Sequence, residues 1–426
     1  MLPPAVKLGR TATAFDGTTA VAFGPKPLPL PVNLAATAAA AAAWAAVPGS
    51  ALASPLRPRP ARVLLAQAAA YLAARALVLA LVCRAFLRQP LYAPGTVPAA
   101  SALSRYADVD GAPSVHYLEC AASSGAGVAA PFAVHCNHGF GASSLGWLTA
   151  LAPLAAATGA ARAVAHDAPG FGLTARPPKR GPAYGTARNA AIGLGLLDGR
   201  AQPGPPLLVG HSMGALSSAE MALELAQRPA TEEPVRVVLV APALFATKKR
   251  AGGAGARRPG RWRRLLCLPA RVLLPAALEA FLPVVLRALV YSPRFWLKGL
   301  RSAWGSAGPN GVSAAVVNRY RWPSLAADWD KGMARFAASK AAASFEEGTG
   351  GGPGRVERLA ALSAAGRARV LIVHGAEDKV VPLANSRALA AELGAALVEL
   401  SGVGHCPQEE DPDGFASVVG RWLAAS

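Results

Sequence analysis

The pentapeptide Gly210-His211-Ser212-Met213-Gly214 carries the clearest chemical signal in the sequence. An apolar run at 207–209 precedes it and a helix-like stretch at 215–227 follows it, which is the strand–turn–helix context of a nucleophile elbow. Such a turn strains the backbone at Ser212 and places it at a helix N-terminus, whose dipole favours developing negative charge. Gly210 and Gly214 keep neighbouring side chains from colliding with the strand and the helix. The pattern predicts a nucleophilic serine.

A serine hydroxyl is a weak nucleophile until a base takes its proton. Among the seven histidines, His405 has the most suitable position, because it follows a predicted strand at 397–400 within the glycine-rich loop 402–405 near the C-terminus. Such a loop predicts an exposed, mobile side chain. His116, His135 and His374 lie in strand-like runs, where a core or edge position is more typical. We therefore predict His405 as the general base.

The acid that orients the base is expected between the serine and the histidine in the chain. The apolar run 370–374 is followed by Asp378, which is the predicted acid. Its neighbour Glu377 is the alternative, although adjacent side chains should point in opposite directions.

Acyl transfer also needs hydrogen-bond donors for the developing oxyanion. The sequence His138-Gly139-Phe140-Gly141 follows a predicted strand and precedes the elbow. Gly139 and Gly141 allow the loop to bend close to a substrate. The predicted donors are the backbone N–H groups of Phe140 and Met213, each typically contributing about 2.7–4 kcal/mol.

Short apolar runs alternate with helix-like stretches beyond residue 104, which is typical of a mainly parallel sheet with helices on both faces. The predicted strands are at 115–120, 132–136, 162–166, 206–209, 235–240, 370–373 and 397–400. Residues 241–369 are too many for one crossover. They predict a cap made of a basic loop (248–264), apolar helices (265–300) and a polar tail ending at 348–354.

These motifs together resemble the α/β-hydrolase superfamily, and more narrowly its plant and algal plastid-type hydrolases. The matching stretches are HGFGAS (138–143), DAPGFGLTARP (167–177), GHSMG (210–214), GAEDKVVP (375–382) and GHCPQEEDP (404–412). The resemblance implies an α/β-hydrolase fold, with a mostly parallel, eight-stranded-type sheet flanked by helices and a helical cap after the sixth strand. Serine at the elbow argues against relatives that open epoxides or displace halide with a carboxylate. Lipid acyltransferase relatives carry H-x-x-x-x-D, whereas Glu410 stands at that offset from His405.

The predicted organisation has five parts: a targeting or low-complexity leader (1–60), an apolar helix and linker (61–103), the first part of the hydrolase core (104–247), a basic, apolar cap (248–365) and the second part of the core (366–426).

The distribution of charge and the cysteine content indicate which partners and which kinds of site the protein should have. Residues 248–301 hold 13 basic residues and one acidic residue, interleaved with apolar runs. This mixture suits anionic lipid better than nucleic acid, although an Arg-rich composition would also produce it. Five scattered cysteines without a C-x-x-C pair argue against a disulfide framework and a zinc site. We expect no metal and no cofactor.

The N-terminal region predicts where in the cell the protein is located. The first 107 residues contain one acidic residue, Asp16, and acid-poor leaders are typical of organelle transit peptides. Residues 63–83 form a 21-residue apolar stretch with one charge, Arg75. The cost of Arg75, about 2.5 to 3.5 kcal/mol, nearly cancels the gain from leucine and valine. The stretch could therefore span a bilayer, lie on one, be a targeting helix or pack on the domain. These features predict membrane association, in the chloroplast or alternatively in the endoplasmic reticulum.

The sequence therefore predicts a serine hydrolase that cleaves a carboxyl ester or thioester of a lipophilic small molecule at a membrane surface. Acyl transfer to an alcohol and C–C bond hydrolysis on the same triad remain alternatives. A non-catalytic binding protein of this fold is the alternative outside enzymes.

Overall fold

The computed structural model describes residues 11–17, 19–22, 92–93, 95–121, 130–178, 181–199, 204–228, 233–245, 261–308, 310–347 and 354–425. The predicted apolar stretch 63–83 and the first part of the predicted basic loop, 248–260, lie outside these residues.

An eight-stranded sheet forms the centre of the structure, and a small two-stranded antiparallel sheet precedes it in the chain. In chain order the strands are β1 (Thr11–Thr13), β2 (Ala20–Ala22), β3 (Ser104–Val109), β4 (Ala112–Ala121), β5 (Ala130–Asn137), β6 (Ala160–His166), β7 (Leu207–His211), β8 (Val235–Val240), β9 (Ala368–Gly375) and β10 (Ala396–Leu400). The spatial order of the large sheet is β10-β9-β8-β7-β5-β6-β4-β3. Its pairs from β10 to β6 are parallel, and β4 pairs antiparallel with both β6 and β3.

The mostly parallel sheet flanked by helices confirms the predicted fold class. Each of the seven predicted strands overlaps an observed one. The central strands, which are buried on both faces, appear as continuous apolar runs. The strand Ser104–Val109 was missed because only Val109 in it is buried. Asp110 and Gly111, both with positive φ, connect it to β4. This Asp-Gly pair is a typical two-residue hairpin turn and is visible in the sequence.

The core lies on both faces of the sheet. Alternate residues of a central strand enter different apolar clusters: Leu208 faces one and Val209 the other, and Val237 and Val238 divide in the same way. The two-residue period of a strand explains this division.

The helices cover both faces and fill the interval between β8 and β9. They are α1 (Leu151–Thr158), α2 (Thr186–Asp198), α3 (Gly214–Leu225), α4 (Arg261–Val290), α5 (Pro293–Ala303), α6 (Ala314–Arg321), α7 (Trp329–Glu347), α8 (Arg355–Ala364), α9 (Leu383–Leu393), α10 (Pro407–Glu410) and α11 (Pro412–Ala424). Helices α4 to α7 follow β8, the sixth strand of the large sheet, as expected of a helical cap. Arg287 on α4 pairs with Asp330 on α7 over 2.6 Å.

The predicted membrane-associated location, in the chloroplast or the endoplasmic reticulum, is wrong for the part of the chain described here. No helix in it is long and apolar enough to cross a membrane. The longest, α4, has 30 residues but contains five arginines and Glu279, and each such charge costs about 2.5 to 3.5 kcal/mol at the centre of a bilayer.

Candidate active site

Ser212 occupies a sharp bend between β7 and α3. Its φ is +50°, in the left-handed region that residues other than glycine rarely adopt. The Ser212 N–H donates to the Val240 carbonyl oxygen over 2.8 Å, which ties the bend to the neighbouring strand. The serine is thus held in a strained conformation at the start of a helix, as an elbow requires.

The two glycines of the motif allow the helix to pack directly on the strands. A Cβ at Gly210 would lie 2.6 Å from Ser218 Oγ, and a Cβ at Gly214 would lie 2.3 Å from the Asn137 carbonyl oxygen. Both distances are below van der Waals contact. A side chain at either position would therefore push α3 away from the sheet.

His405 lies in the loop between β10 and α10, with its Nδ1 at 2.7 Å from Asp378 Oδ2. If Nδ1–H donates to the carboxylate, Nε2 keeps the lone pair that a base needs. The sequence predicted an exposed, mobile histidine, but the residue is buried, with 7% of its surface exposed. The loop packs against other segments, which a local glycine-rich pattern does not reveal.

The structure brings Asp378, and not its neighbour Glu377, to His405. Glu377 accepts hydrogen bonds from the Ser306 N–H (2.8 Å) and hydroxyl (2.6 Å), at the surface. Asp378 Oδ1 accepts from the N–H groups of Val380 and Val381, at 2.7 and 2.9 Å. The adjacent carboxylates point to different partners, as the sequence predicts.

The environment of Asp378 keeps its carboxylate ionised. Burial alone would raise its pKa, but hydrogen bonds from His374 and His405, the charge of His405 and the Val381 N–H outweigh burial and hold the pKa well below its usual range. An ionised acid can stabilise an imidazolium formed during catalysis.

His211 connects the elbow to the loop of the predicted base. Its Nε2 lies 2.9 Å from the His405 carbonyl oxygen, and the two rings are 4.9 Å apart between centroids. Burial, followed by the charge of His405, lowers the pKa of His211 to about 3. A neutral His211 therefore donates from Nε2 to the backbone of His405.

The loop 138–141 passes close to the elbow. A Cβ at Gly139 would lie 2.9 Å from His211 Nδ1 and 3.2 Å from Ser212 Cβ, and Gly141 has a φ of +73°. Both glycines are therefore required by the backbone path. In the described part of the chain, neither the Phe140 nor the Met213 N–H donates to another backbone carbonyl, so both amides remain available for a ligand.

His138 fixes the shape of this loop. Its Nε2 accepts from the Ala168 N–H over 3.0 Å, so Nδ1 carries the proton and donates to the Gly139 carbonyl oxygen over 2.8 Å. Burial lowers the pKa of His138, in agreement with a neutral ring. This histidine thereby joins the loop after β5 to the turn after β6.

Two residues that contact the site were not predicted to do so. His374, expected only as a core or edge histidine, lies with its Nε2 at 3.1 Å from Asp378 Oδ2. Glu410, noted only for its offset from His405, accepts from backbone N–H groups on both sides of His405. His374 lies near the end of β9, and Asp378 follows four residues later, after the strand has ended. This spacing is the one signal in the sequence that could have indicated a contact between the two side chains.

Among the residues that the structure describes, no group of three His, Cys, Asp or Glu side chains is arranged to hold a metal ion.

Comparison with known proteins identifies one family. The sequence model described as the Alpha/beta hydrolase family matches residues 133–418, about two thirds of the chain. No curated protein sequence matches the chain.

Similar solved structures include a serine hydrolase involved in carbazole degradation, at 17% identity and a TM-score of 0.49, covering 76% of this chain and 99% of that one. A thermophilic esterase from Thermogutta terrifontis has 18% identity and a TM-score of 0.49, with the same two coverages. A 2-hydroxy-6-oxo-6-phenylhexa-2,4-dienoate hydrolase from Rhodococcus sp. strain RHA1 has 20% identity and a TM-score of 0.47, covering 74% of this chain and 95% of that one.

Proposed function

The chain belongs to the alpha/beta hydrolase family, and on that basis we propose that it is a serine hydrolase that cleaves a carboxyl ester or thioester through an acyl-enzyme intermediate. The observation that carries the proposal is the 2.7 Å contact between His405 Nδ1 and Asp378 Oδ2. The strained Ser212 directly follows His211, whose ring contacts the His405 backbone. A catalytic triad combines such a serine with a base that an acid orients.

In the first half of the reaction, Ser212 Oγ attacks the carbonyl carbon while His405 Nε2 takes the hydroxyl proton. The carbonyl π electrons move to oxygen, and the N–H groups of Phe140 and Met213 stabilise the oxyanion. When the tetrahedral intermediate collapses, the bond to the leaving alcohol or thiol breaks. The leaving group takes the proton from His405.

In the second half, water attacks the acyl-enzyme and gives its proton to His405. Collapse of the second tetrahedral intermediate releases a carboxylic acid and returns the proton to Ser212. Throughout, Asp378 holds the Nδ1–H tautomer and stabilises the imidazolium.

A fluorophosphonate probe tests the proposal, because it forms a covalent bond only with an activated serine. We expect the wild-type protein to be labelled at Ser212, Ser212→Ala to remain unlabelled, and His405→Ala to label at a small residual rate. A wild-type protein that does not react would contradict the enzyme proposal and favour a binding protein of this fold.

The surroundings of the elbow favour a lipophilic substrate. The Phe171 ring contacts those of Phe140 and Phe336, with centroids 5.6 and 4.8 Å away. A cavity of about 30 Å³ between the core and the cap helices is lined largely by apolar and aromatic side chains, among them Val290, Trp296, Trp329 and Met333. This volume holds only one or two waters, and the apolar character of its lining is what supports a lipophilic substrate.

A series of p-nitrophenyl esters of increasing chain length tests the substrate class. We expect kcat/KM to rise with chain length, because each buried methylene contributes about 0.8 kcal/mol. A preference for acetate over longer chains would contradict a lipophilic substrate.

Acyl transfer and C–C bond hydrolysis on the same triad remain alternative proposals, and an acyl-acceptor competition assay separates transfer from hydrolysis. The narrower resemblance to plastid-type hydrolases remains a prediction from five sequence motifs.

A further inference from the structure

Three segments meet beside the predicted catalytic base. They are a segment of the cap between α5 and α6 (residues 303–308, here called the strap), the loop after β9 that carries Asp378, and the loop 402–406 that carries His405. The His405 N–H donates to the Ala303 carbonyl oxygen over 2.8 Å, and the Ala307 N–H donates to the Gly402 carbonyl oxygen over 3.0 Å. The strap therefore runs along the base loop with direct backbone bonds.

Glycines make this close approach possible. A Cβ at Gly305 would lie 2.3 Å from the Gly402 carbonyl oxygen and 2.7 Å from the Gly404 nitrogen. A Cβ at Gly404 would lie 2.2 Å from the Ala303 carbonyl oxygen, and one at Gly375 would lie 2.0 Å from the Gly404 carbonyl oxygen. Backbone packs on backbone at all three positions, and a methyl group has no space at any of them.

Glu410 binds the same junction with its carboxylate. Oε2 accepts from the Gly305 and Gly404 N–H groups at 2.7 and 2.8 Å, and Oε1 accepts from the Cys406 N–H at 2.9 Å. The residue is fully buried. Gly404 and Cys406 flank His405 directly, so one carboxylate holds the backbone on both sides of the base and also holds the cap.

We propose that Glu410 is a positioning residue for the reaction: it fixes the His405 backbone and fastens the cap strap to it. The inference rests on the proposed serine hydrolase function. Glu410 stands where acyltransferase relatives carry the aspartate of H-x-x-x-x-D, and here its two oxygens are engaged by three backbone N–H groups. The carboxylate thus acts through His405 and does not touch the substrate.

The rate constant for fluorophosphonate labelling of Ser212 measures this role. Glu410→Ala leaves three N–H groups without their acceptor and frees the base loop. Because a displacement of about 1 Å can lower a rate about 100-fold, we expect a loss of at least about 100-fold. Glu410→Gln keeps one acceptor oxygen and should lose less. Gly305→Ala should reproduce the loss, since its Cβ collides with the base loop.

A double-variant cycle distinguishes positioning from a general structural role. Without the imidazole there is no base to position, so adding Glu410→Ala to His405→Ala should not change the residual labelling rate. A further loss of rate in that background would overturn the proposal, as would wild-type rates in both Glu410→Ala and Gly305→Ala.

Two control variants match the test variants. Gly299→Ala adds a methyl group on α5 where nothing lies within 4 Å, and Asp413→Asn removes an exposed carboxylate three residues after Glu410. Both should label at the wild-type rate.

If Glu410→Ala does not fold, Gly305→Ala and Glu410→Gln replace it in the test, and wild-type labelling rates in both would overturn the proposal. A wild type that does not label would refute the function itself, whereas normal labelling of all variants would refute only the role of Glu410.

Discussion

His374 Nε2 lies 3.1 Å from Asp378 Oδ2, the same oxygen that faces His405. On the other side of its ring, His374 Nδ1 is 2.7 Å from Ser386 Oγ. If the hydroxyl of Ser386 donates to Nδ1, Nε2 carries the proton and donates to the carboxylate and to the Val381 carbonyl oxygen, which is also 3.1 Å away. A buried chain of hydrogen bonds therefore runs from α9 through β9 to the acid and then to the predicted base.

His374→Phe should weaken the site through Asp378. A hydrogen bond to a charged group contributes about 1.5–3 kcal/mol, so we expect the labelling rate of Ser212 to fall about 10- to 100-fold. Ser386→Ala keeps the Nε2 donor and should have a smaller effect. A wild-type labelling rate in His374→Phe would show that the contact is irrelevant to catalysis.

Asp378→Asn should nearly abolish activity, whereas Glu377→Gln should change it little. The amide favours the wrong imidazole tautomer, and the equivalent change in a catalytic triad lowers kcat about 10,000-fold. Glu377 is at the surface and its partner is Ser306. Steady-state hydrolysis of the best p-nitrophenyl ester measures both variants. Equal losses in the two would contradict the assignment of the acid.

Gly139→Ala should lower kcat more than it raises KM. The added Cβ would lie 2.9 Å from His211 Nδ1, and the loop must move to relieve the contact, which displaces the Phe140 N–H. Loss of one oxyanion donor lowers kcat about 100- to 1,000-fold. Gly311→Ala, where the new methyl group meets nothing within 4 Å, is the matched control. Wild-type kcat in Gly139→Ala would argue against Phe140 as a donor.

Mild acid should destabilise the fold through its buried histidines. Burial lowers the pKa of His166 from 6.5 to about 4, and that of His211 to about 3. The unfolded chain binds these protons near pH 6.5, whereas the folded protein does not, so stability is complete above that pH and decreases as the pH falls towards the folded values. Each pH unit in this window removes up to about 1.4 kcal/mol per group.

Calorimetry between about pH 7.5 and 5 checks this expectation. The Tm of the wild type should fall, and His166→Gln, which removes one of these groups, should show a shallower fall. A Tm independent of pH over this interval would contradict the expectation.

Asp167 and Asp378 make stability depend on pH in a lower range. Burial opposes their ionisation, but histidine contacts and hydrogen bonds hold both pKa values well below the usual range. Their stabilisation is present above about pH 4 and is lost as the pH falls further.

The strands and the elbow could be predicted from the sequence because they depend on residues close together in the chain. Apolar runs indicated seven strands, and the clearest runs are those of the central strands, since a strand buried on both faces needs apolar residues throughout. The elbow motif indicated Ser212 because its glycines are needed within two residues of the serine. The edge strand Ser104–Val109 has no such run, since Val109 alone in it is buried, and it was missed.

The hydrogen-bond partners of Glu410 are contacts that the sequence alone could not predict. Gly305 is 105 residues away in the chain, and the contact forms only because the cap segment folds back onto the base loop. The burial of His405 has the same origin, since the Ala303 carbonyl oxygen and His211 hold its backbone. A local pattern of glycines indicates a flexible loop and contains no information about the segment that will pack on it.

The order of motifs along the chain by itself determined the fold class and the candidates for nucleophile, base, acid and oxyanion donors, because each depends on residues close in sequence. Only the tertiary structure decided which carboxylate reaches the imidazole. Asp378 and Glu377 are adjacent and chemically alike, and they differ in what stands opposite them: His405 for one and Ser306 for the other. Which of the two carboxylates reaches His405 depends on segments that are far apart in sequence, because a hydrogen bond requires its two atoms to be close in space.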